Sequence, residues 1–310
     1  MRVQYLLALS LSALLLALVW NWVQQQKQTD SSAEPKDDGN TTALFGPGCK
    51  MPRETNLSCE DFVKRYLGQE PVVLRGVLRS ENEAFFAATA SAFLREHHGS
   101  LPVKISTANS FTGRDWTETD LATYMDSLLR PQDESRAGNQ TLYLFGSQQG
   151  PAWEDFLRSY HRPTLVYPSE SFVEASLGSP SPEALCLGLD ADQSKGPGHL
   201  SERQDRLTSL SFGLAGAGTG VPFHFHGPGF LQMIHGRKRW FLYPPGSSPD
   251  FHPNATTLSW VRTVYPHLTE SAKPSHECVL EPGDVIYFPN SWMHATLNLD
   301  NYTAFVATFA

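Results

Sequence analysis

The sequence predicts a mainly β-structured chain with flanking helices and a barrel or jelly-roll core. After Leu207 it consists of short apolar segments separated by Gly and Pro, a pattern typical of strands joined by turns. Before Leu207, amphipathic segments that suit helices alternate with single apolar segments that suit strands. Many short strands near the C-terminus, with helices around them, indicate such a core. We place it at residues 207–310.

The elements expected before the core follow from the same patterns. Ser58 is expected to cap a helix that begins at Cys59 and carries Phe62 and Tyr66 on its apolar face. Residues 179–205 are rich in Ser, Pro, Gly and charge, and are expected to form a long surface excursion. The other expected strands are residues 71–78, 103–107 and 141–145, and the other expected helices are residues 84–97, 117–129 and 153–160.

Within the core, almost no helix is expected. Leu210, Phe212 and Leu214 alternate along one strand. The segment VPFHFH, residues 221–226, follows a Gly-rich turn and is expected to be another strand. The remaining expected elements are a hairpin that turns at His235 and Gly236, residues 278–289 around a Pro-Gly-Asp turn, and strands at residues 291–299 and 303–309.

Composition and charge limit the classes of partner. The chain has 310 residues, of which 40% are hydrophobic and 18% charged, which is ordinary for a folded protein. Its formal net charge is -8. Binding to the phosphates of a nucleic acid requires a cationic surface, so we expect no nucleic-acid partner.

The N-terminus carries a segment that suits a membrane. Residues 5–23 are almost wholly apolar, and a helix of this length spans roughly 28 Å, close to the hydrocarbon thickness of a bilayer. Trp20 and Trp22 favour a signal-anchor, whereas a cleaved signal peptide would have a poor cleavage site here. Both interpretations stay open, and both place the rest of the chain in the endoplasmic reticulum lumen or the secretory pathway. We assign residues 1–23 to targeting, 24–48 to a polar linker and 49–310 to one domain.

Sequons and cysteines agree with a luminal location. Any single Asn-X-Ser/Thr triplet is a weak indicator, but five occur. Four cysteines are compatible with disulfides in an oxidising compartment. Cys49 and Cys59 could close a short loop, but the sequence does not fix the pairing. The sequons begin at Asn40, Asn56, Asn139, Asn254 and Asn301, and the other cysteines are Cys186 and Cys278.

Three histidines are the candidates for metal binding. In a strand, residues two apart share a face, so His224 and His226 are expected to point the same way. A lone histidine in a strand is usually a hydrogen-bonded or surface residue, and a pair by itself seldom binds metal. His294 strengthens the metal-site prediction, because it supplies a third imidazole from another strand. It shares one face of that strand with Thr296 and Asn298. Three imidazoles that converge from two neighbouring strands form a facial metal site with open positions.

Four motifs together resemble the JmjC domain of the cupin superfamily. They are HFH at 224–226, GRKRWFLYPP at 236–245, EPGDVIYFP at 281–289 and WMHATLNLD at 292–300. The resemblance covers residues 59–310. It implies a double-stranded β-helix, or jelly roll, as the core. It also implies the activity of Fe(II)- and 2-oxoglutarate-dependent oxygenases, which hydroxylate proteins or demethylate lysines.

The resemblance implies a role for each matching residue. His224 takes the place of the first iron ligand and His294 that of the distal histidine. Lys238 takes the place of the basic residue that pairs with the far carboxylate of 2-oxoglutarate, and a solvated hairpin lysine is the alternative. Thr296 and Asn298 are candidate polar partners of the co-substrate.

The match departs from the family at one ligand. The family pattern is His-X-Asp or His-X-Glu, and His226 stands where the acid is expected. A neutral imidazole raises the net charge at the metal by one and favours zinc or copper over iron. Three functions stay open. The first is a regulatory module that binds luminal proteins with weak or absent oxygenase activity, and the second is an active 2-oxoglutarate-dependent protein hydroxylase with a three-histidine iron site. The third is zinc-dependent hydrolysis at the same histidines, for which the sequence shows no independent general base. Trp240 and Tyr287 are expected to belong to the core.

Overall fold

The strands and helices of the domain come from a computed structural model. It describes residues 46, 48–77, 80–107, 116–136, 142–161, 209–247 and 249–309. Several predicted features lie outside the described residues. They are the apolar segment at 5–23, the linker up to residue 45, the excursion at 179–205, Asn40, Asn139 and Cys186. Within the described ranges, no helix has the length and hydrophobicity that crossing a membrane requires.

The first part of the described chain contains short helices and five strands. Helix α1 begins at the predicted residue because the Ser58 side chain accepts a hydrogen bond from the Asp61 amide. The strands are β1 (Arg53–Thr55), β2 (Val72–Arg75), β3 (Pro102–Thr107), β4 (Thr117–Asp120) and β5 (Leu142–Gly146). The helices are α1 (Cys59–Arg65), α2 (Glu83–Ala88), α3 (Ser91–His98), α4 (Leu121–Thr123), which continues as a π-helical turn at Tyr124–Leu128, and α5 (Pro151–Leu157).

The C-terminal part is mainly strands, as predicted. Its strands are β6 (Ser209–Ala215), β7 (Gly229–His235), β8 (Lys238–Tyr243), β9 (His276–Leu280), β10 (Val285–Phe288), β11 (Met293–Asn298) and β12 (Thr303–Phe309). Its helical elements are α6 (Thr257–Thr263) and the 3-10 turns Tyr265–His267 and Glu270–Ala272. The sequence patterns missed α6, which is capped by the Thr256 side chain.

The described strands form two sheets. The larger sheet has nine strands in the order β1-β2-β10-β7-β12-β6-β5-β3-β4, and the smaller has the order β11-β8-β9. The C-terminal strands pair antiparallel, and β1 pairs parallel with β2. Side chains from both sheets line one cavity. This two-sheet arrangement is the predicted jelly-roll class.

Two predicted helices have different bounds in the structure. The sequence predicts a helix over 117–129, but residues 117–120 form β4, which pairs antiparallel with β3. Two of these four residues are β-branched threonines, which suit a strand. The helix begins after Asp120, whose carboxylate accepts a hydrogen bond from the Thr123 amide. The helix predicted at 84–97 is divided into two helices. The first, α2, ends at Ala88, and the second, α3, begins at Ser91.

The suggested pairing of Cys49 with Cys59 is wrong. Cys49 forms a disulfide with Cys278 of β9. The Lys50 amide donates a hydrogen bond of 2.7 Å to the Glu277 carbonyl, so the chain here runs along the edge of β9 and brings the two sulfurs together. The two cysteines are 229 positions apart, and no local spacing indicates such a pair.

Three of the predicted glycosylation sites fall on described residues. Asn56, Asn254 and Asn301 are all exposed. Exposure is necessary for a glycan to be accommodated on the folded protein. Their glycosylation stays a prediction.

Candidate metal centre

The three candidate histidines line the cavity between the sheets. His224 and His226 lie between β6 and β7 on a segment that is irregular, so the strand predicted at 221–226 is wrong. Only one bridge forms, between His224 and His294 of β11. In it the His224 amide donates to the His294 carbonyl at 3.0 Å, and the His294 amide donates to the His224 carbonyl at 2.8 Å.

Gly220 allows the irregular segment to lie against β11. A β-carbon at this position would overlap the carbonyl oxygen of Thr296. The Thr296 amide in turn donates a hydrogen bond of 2.9 Å to the Val221 carbonyl. A larger residue at position 220 would therefore push the segment, and His224 with it, away from β11.

The three imidazoles are close enough to hold one ion. One ligand nitrogen from each histidine lies within 4.8 Å of those of the other two. The ring centroids of His224 and His294 are 4.2 Å apart, and those of His226 and His294 are 4.9 Å apart. The predicted cluster is therefore present, although two of its members come from irregular backbone.

Each imidazole is oriented by a hydrogen bond between its Nδ1 and a backbone carbonyl. Because a carbonyl oxygen only accepts, Nδ1 carries the proton and the lone pair is on Nε2. Histidines that bind metal are commonly oriented in this way. The pairs are His224 with Pro222 (2.8 Å), His226 with Gly227 (2.7 Å) and His294 with Trp292 (2.8 Å).

Burial keeps the three imidazoles neutral. It lowers the pKa of His224 to about 4, opposed in part by the hydrogen bond to Pro222. It also lowers the pKa of His226. The pKa of His294 falls well below its usual range because of burial and the two nearby histidines. At neutral pH each ring therefore keeps the lone pair that a metal requires.

Lys238 is fully buried in the same cavity, so the alternative of a solvated lysine is wrong. Its Nζ lies 3.3 Å from the Tyr143 hydroxyl and 3.5 Å from the centroid of the Phe305 ring. None of the ion pairs between described residues includes it. Burial lowers the pKa of Lys238 well below its usual value. A buried ammonium without a counter-ion is unfavourable, so this part of the cavity favours an anionic ligand.

The cavity has two ends, and the pairing of β8 with β11 shows how far apart they lie. Lys238 lies opposite Asn298, and Leu242 lies opposite His294. Four residues of strand span roughly 13 Å. We call the end with the three histidines the metal end and the end with Lys238 the lysine end.

Of the two candidate polar partners, Thr296 lines the cavity, and the Asn298 side chain contacts Tyr143, which also lines it. The Thr296 Oγ1 accepts a hydrogen bond of 3.2 Å from the Val221 amide. Asn298 is buried but is not among the lining residues. Its Nδ2 donates to Thr219 Oγ1 at 2.9 Å, and its Oδ1 has no hydrogen-bond partner within the described chain. Thr296 is therefore the better placed of the two to contact a ligand.

Among the residues of the cavity wall that were not identified from the sequence, Trp240 and Tyr143 carry polar groups. Trp240 lies in a core cluster, as expected, and also stacks on His294 with ring centroids 5.4 Å apart; its buried Nε1 has no partner in the described part of the chain. Its position two residues after Lys238 could have identified it, because the two share a strand face. Tyr143 comes from β5, and no local pattern indicates it. Tyr287 lies in a core cluster, as expected.

The donor groups present suit a divalent transition metal at one end of the cavity and a carboxylate at the other. Neutral imidazoles suit zinc, copper, iron and nickel, and three protein ligands leave coordination positions open. Lys238 and the Tyr143 hydroxyl are placed to hold a carboxylate at the lysine end. A bound redox-active metal would supply oxygen chemistry, whereas zinc would supply only Lewis acidity.

Comparison with known families defines the class of protein to which this fold and site belong. Residues 59–309 match the family described as "Cupin-like domain". The chain therefore belongs to the cupin-like family, and both the predicted fold class and the JmjC resemblance are confirmed.

Among individual proteins, the chain is similar to JmjC domain-containing protein 8. It is 40% identical to the human protein over 273 residues, which cover 85% of this chain and 87% of that protein. It is 39% identical to the mouse protein over 263 residues, which cover 84% and 82%. A solved structure described as a ribosomal oxygenase from Escherichia coli in complex with cobalt and 2-oxoglutarate is also similar, with 16% identity and a TM-score of 0.37. The match covers 82% of this chain and 52% of that one, so this chain spans about half the length of the solved structure.

Proposed function

We propose that this chain is a protein-binding module of the endoplasmic reticulum lumen, built around a pocket for a divalent transition metal and an anion of the 2-oxoglutarate class. Its oxygenase turnover is weak or absent. The observation that carries the proposal is His226, which presents a neutral nitrogen where related oxygenases of the JmjC type are expected to present a carboxylate.

The charge at the metal end supports weak turnover. Three neutral imidazoles leave the full charge of a divalent ion uncompensated, and burial holds the pKa of each of them low. The described residues that line the cavity include no carboxylate that could take the place of the missing ligand. Such a donor set favours zinc or copper over iron, so the metal end suits a structural or Lewis-acidic ion.

The lysine end supports a bound anion. Lys238 is buried, and in the described part of the chain its ammonium group contacts the Tyr143 phenol and the Phe305 ring. Because desolvating an ammonium costs several kcal/mol unless an anion compensates it, a dicarboxylate would be stabilised there. Thr296 and Trp240 line the wall between Lys238 and the metal end and offer further polar contacts.

The luminal location is supported by three independent features. The apolar segment at 5–23 suits a signal-anchor or signal peptide. The sequons at Asn56, Asn254 and Asn301 are exposed. The Cys49–Cys278 disulfide suits an oxidising compartment.

The test combines metal analysis with turnover on the oxidised full-length chain. Wild type, His226→Asp and His294→Ala are incubated with Fe(II), 2-oxoglutarate and oxygen, and released succinate is measured. We expect wild type to release no more succinate than His294→Ala. We expect His226→Asp, which supplies the carboxylate, to bind iron more tightly and to release more. Wild-type release well above His294→Ala, with no gain in His226→Asp, would contradict the proposal.

An active three-histidine protein hydroxylase is the second candidate. Lys238 favours it, because a buried ammonium that no described carboxylate neutralises is the arrangement that binding of 2-oxoglutarate requires. The same succinate measurement distinguishes the two functions. Release by wild type that is lost in Lys238→Met would establish the hydroxylase.

A further inference from the structure

The Cys49–Cys278 disulfide joins a partly exposed cysteine to a buried one. Cys278 has no exposed surface, whereas Cys49 is partly exposed and lies between two exposed residues, Gly48 and Lys50. Exchange of a disulfide begins when a thiolate attacks one of its two sulfurs, and access determines which sulfur is attacked. In the folded chain, an external thiol therefore reaches this bond from the Cys49 side.

A guanidinium group lies beside the buried sulfur. Arg53, the first residue of β1, is exposed, and its Nη2 lies 3.2 Å from the Cys278 Sγ. The same nitrogen donates a hydrogen bond of 2.9 Å to the Val279 carbonyl. Among the described residues, no carboxylate forms an ion pair with Arg53.

The position of this charge matters for the broken bond more than for the intact one. A neutral disulfide gains little from a neighbouring cation, whereas a thiolate is stabilised by it. Burial alone would disfavour a thiolate at Cys278. The Arg53 guanidinium offsets that cost on the sulfur that an external thiol does not reach.

We infer that the Cys49–Cys278 bond is an exchange site for an external thiol, in which Cys49 is attacked and Cys278 leaves as a thiolate stabilised by Arg53. The attacking thiolate forms a new S–S bond to Cys49, and the electron pair of the broken bond stays on Cys278. A second external thiolate then attacks the first one's sulfur and releases Cys49. In sum, two external thiols are oxidised to their disulfide, and the protein gains two electrons and two protons.

The inference goes beyond the proposed function, because it involves neither the metal nor the co-substrate. Its consequence concerns the segment around Cys49, which the disulfide and the hydrogen bond from the Lys50 amide to the Glu277 carbonyl attach to β9. Cys278 belongs to the same core cluster as Trp240 of the cavity wall. Reduction would therefore remove the covalent link between this segment and a cluster that borders the cavity.

The test follows reduction of the oxidised full-length chain by glutathione at neutral pH, with acid quenching and peptide mass spectrometry. We expect the first glutathione adduct to form on Cys49 in large excess over Cys278. Arg53→Met should slow the reduction about fivefold, because the leaving thiolate loses its neighbouring charge. Arg53→Lys should keep most of the rate. The matched variant Arg75→Met, which removes an exposed arginine of β2 that pairs with Asp284, should leave the rate unchanged.

The sign of the Arg53→Met effect separates this role from a purely structural one. If Arg53 only held β1 to the Val279 carbonyl, its removal would loosen that contact and speed the reduction. Reduction of Arg53→Met that is as fast as in wild type, or faster, would overturn the inference. An adduct found mainly on Cys278, or no reduction of the folded chain, would overturn it too.

A second variant shows whether glutathione reacts with the folded chain. Tyr124→Phe removes a buried hydrogen bond to the Leu214 carbonyl, in a different core cluster from that of Cys278. It should lower stability and leave the rate of reduction unchanged. An increase of about fivefold, in proportion to the lost stability, would show that only the unfolded chain is reduced, and would refute an exchange site in the folded protein.

Discussion

The metal end of the cavity is built on irregular backbone, whereas the lysine end is built on paired strands. His224 and His226 lie on a segment that forms no regular strand and is joined to β11 by one bridge at His294 and by separate backbone hydrogen bonds. Lys238 begins β8, which is hydrogen-bonded to β9 on one side and β11 on the other. The metal end therefore depends on the position of a loop segment against β11, whereas the ammonium at the lysine end is placed by strands paired on both sides. The two ends of the cavity differ in the regularity of the backbone that carries them.

The lysine end is also stabilised by contacts between β8 and β9 that involve Arg239, the residue next to Lys238. In β8, Arg239 donates to the Glu277 carboxylate of β9 through Nε at 2.7 Å, and the Tyr265 hydroxyl donates to the same carboxylate at 2.7 Å. The next residue of β9, Cys278, carries the disulfide to Cys49 and lies opposite Trp240 of the cavity wall. Changes at the metal end should therefore affect ligand affinity first, and changes near the lysine end should affect stability first.

The largest effect is expected for His294→Ala, which removes the candidate metal ligand that β11 carries. We expect the zinc affinity to fall by about a thousandfold, or roughly 4 kcal/mol, in a titration against a competing chelator. His276→Ala is the control, because its imidazole contacts Glu70 instead of the cavity. An equal loss of affinity in both variants would show that the three-histidine cluster is not the metal site.

The next largest effect is expected for Cys49→Ser, which removes the covalent link to β9. We expect the free energy of unfolding to fall by about 2–5 kcal/mol in urea under non-reducing conditions. A reductant should bring wild type to the stability of the variant and leave the variant unchanged. Equal stability of the two proteins without reductant would contradict the disulfide in the folded chain.

Lys238→Met should have a smaller effect, and of the opposite sign. Removing an uncompensated buried ammonium should raise the free energy of unfolding of the ligand-free chain by about 1–2 kcal/mol. The variant should also lose the rise in melting temperature that 2-oxoglutarate gives wild type. Lys104→Met, at an exposed ion pair with Glu118, should retain that rise. A destabilised Lys238→Met would mean that the phenol and ring contacts already compensate the ammonium.

The smallest effect is expected for Thr296→Val, in the wall between the two ends. The change leaves the buried Val221 amide without its acceptor and should cost about 1 kcal/mol of stability, measured by urea unfolding. Thr263→Val, in an exposed part of α6, should change stability less. If the lost hydroxyl also weakens 2-oxoglutarate binding, Thr296 contacts the co-ligand directly.

Local patterns predicted the parts of the site that strands carry, and missed the parts that long-range pairing assembles. The face shared by His294 and Thr296 follows from the alternation of side chains along β11, and Lys238 follows from a motif in one strand. Tyr143 reaches Lys238 across 95 residues, and only the order of strands in the larger sheet brings it there. Asn298 was expected at the cavity because it shares the face of His294, and its side chain contacts Tyr143 of the cavity wall.

At residues 221–226 the predicted grouping of the histidines is correct, although the strand from which it was predicted does not form. Alternation predicted that His224 and His226 point the same way, and both rings do lie near His294. The strand itself does not form. The segment meets β11 through Gly220, whose lack of a side chain permits close approach to the Thr296 carbonyl. Close approach at Gly220 therefore permits backbone hydrogen bonds to β11, such as that from the Thr296 amide to the Val221 carbonyl, without a regular strand.

The disulfide also sets an order of events during synthesis. Cys49 precedes its partner by 229 residues, so this bond can close only after Cys278 has been synthesised. Until then Cys49 stays reduced or is held in a temporary bond, and Cys59 is the first cysteine to follow it. Closure of the Cys49–Cys278 bond thus requires β9, and it reports that the chain around Cys49 has reached the edge of the smaller sheet.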